Sequence, residues 1–126
     1  MSTDIGNIID YAAKIAFLLA CSDIKYSQYR QILNGVIDAL NLYGYDAMMM
    51  YILYEAGKGR IPAKTAKQIV SLLLQFKSKC QRGCRDIAME LLNLVNMAYT
   101  VFSRNKDVCK LDIDKLSLNE ILKQLV

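Results

Sequence analysis

The chain has 126 residues, 54% of them hydrophobic and 22% charged, with a net charge of +4 and no histidine. That length suits one domain with a core of its own, and the composition excludes a disordered chain. No apolar run approaches the roughly 18 residues of a membrane span; the longest, IAFLLAC, also lacks the basic start of a secretory signal, so the cytoplasm is the expected compartment.

Apolar residues recur at spacings of three and four, which predicts an all-α protein: a single-domain bundle of five to six helices over residues 1–126. The first helix runs from about Asp4 to Cys21, with Ile5, Ile8, Ile9, Ala12, Ala16, Leu19 and Ala20 along one side. Ser27 reads as the N-cap of a second helix carrying Tyr29, Ile32, Leu33, Val36, Ile37 and Leu40, which stops near Tyr43-Gly44. Asp46 then caps a third helix through Met50 and Leu53, ended by Gly57 and Gly59. Pro62 suits the first turn of a fourth, where its missing N–H has no partner to lose. Gly83 interrupts the chain before a fifth helix over about Arg85 to Phe102. Ser117-Leu-Asn-Glu120 is a capping box that starts a short helix ending at Leu125.

Cys21, Cys80, Cys84 and Cys109 lack the tight pairs and histidines of a zinc site. Unpaired thiols are the default reading. Disulfides are the competitor, credible inside a cell if the host is a hyperthermophile. No cofactor and no metal are expected.

The charge is unevenly spread. Residues 55–85 carry eight basic side chains against Glu55 alone, whereas 1–54 and 86–126 are slightly acidic. The basic stretch begins in YEAGKGRIPAKTAK, residues 54–67. Its GKGR is no nucleotide-binding loop, because the glycine spacing is wrong and the preceding segment is helical. The helix that follows is more telling. At about 100° per residue, Lys64, Lys67, Gln68, Ser71, Gln75, Ser78, Lys79 and Arg82 fall on one face. Ala66, Ile69, Leu72, Leu73 and Phe76 fall on the other. The polar face holds no carboxylate, although mixed signs are the rule for a solvated helix. A run of about 20 residues makes a rail roughly 30 Å long, with Lys58 and Arg60 at its start.

Such a rail fits an acidic polymer. Lys and Arg neutralise phosphates, while Ser and Gln hydrogen-bond phosphate or ribose oxygens. No base-reading motif is present. The candidate nucleic-acid-binding residues are Arg30, Lys58, Arg60, Lys64, Lys67, Lys79 and Arg82, the arginines being able to grip a phosphate with two bonds. An anionic protein partner and a plain solvated face are the competing readings.

Of the eight tyrosines, Tyr11, Tyr51 and Tyr99 sit among apolar residues and read as core; Tyr26 and Tyr29 are candidates for exposure and base stacking. Met48-Met49-Met50 points in too many directions for one stripe and reads first as core filling, second as an adaptable contact surface. Without histidine the commonest general base is missing, and the acids sit mostly at helix starts; Asp112 and Asp114 lie in a loop without a third ligand. No enzyme is expected.

Tyr26 to Leu33, YSQYRQIL, and Tyr54 to Arg60, YEAGKGR, resemble the small helical subunit of CRISPR type III effector complexes. In that family a helix opens with a Ser/Thr-x-Gln-apolar-Arg pattern, and a second ends in a Tyr-x-Ala-Gly-Arg-like turn. Ser27, Gln28, Tyr29 and Arg30 fit the first pattern one position tighter; Tyr54, Ala56, Gly57 and Arg60 fit the second with Lys58 and Gly59 inserted. MELLNLVNMAYTVF resembles the family's later helix, and the likeness covers residues 25–104. It implies a non-catalytic subunit that self-associates in a stack, contacts other subunits and lines the path of guide RNA and target nucleic acid. The alternatives are a small archaeal or viral DNA- or RNA-binding helical protein outside CRISPR, and a helical protein–protein adaptor.

Overall fold

Helix α1 (Ile5–Ala20) is the axis of the molecule. From Tyr11 to Ala20 every side chain except Lys14 is buried, so this helix is enclosed on all sides rather than apolar along one stripe. It packs mainly on α5 (Cys84–Arg104) and α4 (Ala63–Lys79), with α6 (Leu118–Leu125) and the 3₁₀ helix Lys106–Lys110 beside it. Helices α2 (Tyr26–Tyr43) and α3 (Tyr45–Gly57) form a pair, with α2 against α5 and α3 against α4. A second 3₁₀ helix, Ile113–Lys115, precedes α6. The structure, a computed structural model, describes residues 5–80 and 83–125; among them no strand occurs, and the expected all-α bundle is what the chain forms. The expected helix start at Asp4 and the rail residue Arg82 lie outside the described residues.

Several caps differ from expectation. Lys25, not Ser27, is the N-cap of α2, and the Gln28 side chain reaches back to accept from the Lys25 N–H (3.3 Å). Gly44 alone separates α2 from α3, with φ of 100°. Its N–H donates to Leu40 O (3.0 Å) and its carbonyl accepts from Met48 N–H (3.2 Å), so one residue ends one helix and begins the next. Only glycine takes that φ without strain. Asp46 therefore lies within α3 and does not cap it; its carboxylate pairs instead with Lys77 of α4 (2.7 Å). Pro62 is the residue just before α4, its ψ of 137° still extended. Ser117 does cap α6, accepting from Glu120 N–H (3.3 Å).

Tyr29 is buried, contrary to the expected exposure. Its ring stacks on that of Tyr99, with centroids 3.5 Å apart and planes 7° from parallel, and its hydroxyl donates to Asn96 Oδ1 (2.8 Å). Tyr29 falls on the same face of α2 as buried Ile32, Leu33 and Val36, three, four and seven positions on, and that face turns to the core. Met48 and Met49 fill core, and Met50 points out.

All four cysteines are paired. Cys21–Cys109 joins the end of α1 to the first 3₁₀ helix across 88 residues, and Cys80–Cys84 ties the end of α4 to the start of α5. Cys80 ends α4 in extended backbone and Cys84 opens α5, so the two do not share a helical face. Lys106 Nζ also donates to the Ala20 carbonyl, placing a cation at the C-terminus of α1, where the helix dipole favours it.

Candidate nucleic-acid interface

Core packing of α4 decides which of its side chains meet solvent. Ala66, Ile69, Leu73 and Phe76 are buried, and buried Thr65 shares a hydrogen bond with Ser22 (2.9 Å). The opposite side of the helix is thereby forced outward, and Lys64, Lys67, Ser71, Gln75, Ser78 and Lys79 are all exposed, with Gln68 half-buried. Helix α4 contains no carboxylate over its whole length. From Lys64 to Lys79 the face extends about 22 Å, at 1.5 Å per residue.

The cations differ in what holds them. Lys67 and Lys64 stand at the open start of the helix. Lys79 places its Nζ 5.1 Å from the Tyr11 ring centroid, so its stem lies over an aromatic face while the residue stays exposed. Lys77, off the rail, is already neutralised by Asp46. Lys58 lies over the ring of Tyr54, 4.9 Å from its centroid. Arg60 is committed in part to an internal partner: its Nη1 donates to Oε1 of the fully buried Glu55 (3.3 Å), and its N–H donates to the Glu55 carbonyl (3.0 Å). Glu55 Oε2 has no hydrogen-bond partner among the described residues. The α3–α4 joint thus brings Lys58, Arg60, Lys64 and Lys67 together. Arg30 is exposed on α2, whose main packing partners are α3 and α5.

Two residues that linear reading passed over border the rail. Lys14 of α1 and Asp114 of the second 3₁₀ helix line a groove with Gln68, Ser71 and Gln75. Lys14 adds a cation beside the middle of the rail, and Asp114 supplies a negative edge on the far wall. Lys14 carried one signal, being the only basic residue in a long apolar helix. Asp114 carried none, because it reaches α4 only through the tertiary fold.

Among the described residues no group of three or more His, Cys, Asp or Glu is placed to hold a metal ion, and no helix is long and apolar enough to cross a membrane. Compared with known proteins, the chain matches no family model, no curated protein and no solved structure.

Proposed function

We propose that this protein binds the backbone of a nucleic acid along α4 and does no chemistry of its own. It would serve as a small subunit of a cytoplasmic ribonucleoprotein complex of the CRISPR effector kind. The observation that carries this reading is the exposed, carboxylate-free face from Lys64 to Lys79. A phosphate chain binds such a face through counterion release, without regard to base sequence. The resemblance at Ser27–Arg30 and Tyr54–Arg60 supports the placement beside guide RNA and its target, where pairing selects sequence and protein holds the strands by backbone and shape, as Cas9-type effectors do.

A protein-contact role is favoured by a second feature, the apolar groove between α1, α5 and α6 lined by Leu94, Met97, Val101 and Leu122. Stacking of subunits and strand binding are compatible, and alignment of copies would raise avidity.

The test is the triple variant K64A/K67A/K79A, measured for RNA affinity across salt concentrations. The fold should survive, because exposed charges usually matter within about 0.5 kcal/mol each. Affinity should fall for all sequences alike, and the slope of log affinity against log salt should flatten by roughly 2 to 3. A folded variant that binds RNA as tightly as wild type, with the same slope, would reduce the rail to a solvated surface.

A further inference from the structure

The α3–α4 joint carries an exposed aromatic that phosphate binding alone leaves unused. Tyr54 lies on the last turn of α3 with 55% of its surface in solvent. Residues four apart on a helix are neighbours, and Lys58 accordingly holds its Nζ 4.9 Å from the Tyr54 ring centroid. Behind it stands Tyr51, whose ring is 5.9 Å from that of Tyr54 and tilted by 41°. Tyr51 occupies the space over Gly35 of α2 so closely that a Cβ at position 35 would lie 2.1 Å from its hydroxyl oxygen. The exposed ring is therefore backed by a second ring that packs against α2 at Gly35. The adjoining chain is cationic: apart from Glu55, which is buried and paired with Arg60, the stretch from Tyr54 to Lys79 has no acid, and Asp38 of α2 adds one carboxylate on the Tyr51 side. An exposed planar ring beside a mobile cation is the arrangement by which single strands are held, base on ring and phosphate on cation.

We propose that Tyr54 and Lys58 form a stacking platform for an unpaired base of a single-stranded nucleic acid, and that the protein therefore prefers single strands to duplex. The base covers the Tyr54 face that Lys58 now overhangs, and Lys58 turns to the adjoining phosphate. The strand then continues toward Arg60, Lys64 and Lys67. This inference rests on the nucleic-acid reading of the rail and narrows its ligand to a strand with at least one unpaired base.

The experiment compares wild type, Tyr54→Ala, Tyr54→Phe and the K64A/K67A/K79A variant. Each is titrated with a short oligouridylate and with an RNA duplex of equal length, over a range of salt, and its self-association is followed by sedimentation. Tyr54→Ala should weaken oligouridylate binding about 5- to 150-fold, the range of one base–aromatic stack. Its salt slope and its duplex affinity should stay as in wild type, and Tyr54→Phe should bind normally. The lysine variant should lose salt slope on both ligands. Undiminished oligouridylate binding by Tyr54→Ala, or an equal loss on duplex, overturns the platform while leaving the rail standing. Loss of self-association alone in Tyr54→Ala also overturns it, and makes the ring a protein contact. A wild-type protein that binds neither ligand at low salt removes the rail reading itself.

Discussion

The Glu55 carboxyl is wholly enclosed by protein, and among the described residues the one cation that reaches it is Arg60, at 3.3 Å, from the far side of the α3–α4 turn. This pair decides what Arg60 is for. An arginine that balances a buried carboxylate cannot be removed as harmlessly as a surface lysine, because the charge left behind has neither water nor partner.

Arg60→Ala should therefore destabilise the fold by about 3 kcal/mol, the lower end for breaking a buried pair, since the Arg60 side chain is itself 38% exposed. Adding Glu55→Gln to that variant should recover much of the loss. Urea denaturation of the single and double variants checks both outcomes. An Arg60→Ala protein as stable as Lys64→Ala would show that the pair contributes nothing.

The two disulfides should differ widely in weight. In the loop-entropy account, Cys21–Cys109, which closes 88 residues, contributes about 4–5 kcal/mol. Cys80–Cys84 spans only four positions and constrains far less of the unfolded chain. Thermal melts of Cys21→Ser/Cys109→Ser and Cys80→Ser/Cys84→Ser should show a large drop for the first pair and a small one for the second. Equal drops would contradict this ranking.

Alkali should unfold the protein through its buried tyrosines. Burial holds the Tyr29 hydroxyl well above the usual range, with Tyr99 adding to the effect and Arg30 opposing it. Burial does the same to Tyr45, helped by Tyr11 and Asp46. Both hydroxyls also donate hydrogen bonds, to Asn96 Oδ1 and to the Leu73 carbonyl. Raised folded values mean that the native state favours the protonated form. This stability is complete below the ordinary tyrosine value of about 10 and is lost as pH rises past it toward the folded values. Urea midpoints should hold steady from neutral pH to just below that value and fall above it, and Tyr29→Phe with Tyr45→Phe should flatten the fall.

Gly35→Ala tests the close approach of α2 and α3. Alanine is the better helix former by about 1 kcal/mol, yet its Cβ would meet the Tyr51 ring at 2.1 to 2.5 Å. Overpacking should win, with a net loss of about 1–2 kcal/mol. Combining it with Tyr51→Ala, which vacates the clash, should remove the penalty specific to position 35. A Gly35→Ala protein that melts higher than wild type would mean that the ring swings aside freely.

What could be read in advance was what repeats locally. The 3–4 spacing of Ala66, Ile69, Leu73 and Phe76 defines the buried side of α4 and, by exclusion, the exposed rail, so that face was legible residue by residue. The ends of helices were not, because a single glycine with φ of 100° could replace the expected Asp46 cap and release that carboxylate to Lys77. Tyr29 looked exposed beside a presumed cap, and its actual partner, Tyr99, lies 70 residues further along the chain. Cys21 with Cys109 and Asp114 across from Ser71 share that difficulty: each relationship exists only after the bundle has closed. Composition showed charge at the joint, but not that its one arginine is held from within.

The enclosure of α1 also constrains the order of assembly. This helix is synthesised before every element that covers it, and its main partner, α5, begins 64 residues after α1 ends. Until α5 has emerged, the side of α1 that bears Ile9, Ala12 and Ala13 lacks its native neighbours on that helix, which is the condition under which nascent chains aggregate or engage chaperones. A bundle of helices is usually quick to form because its contacts are local. Here the largest contact, α1 on α5, joins distant parts of the chain, so closure of the core waits until α5 has been made.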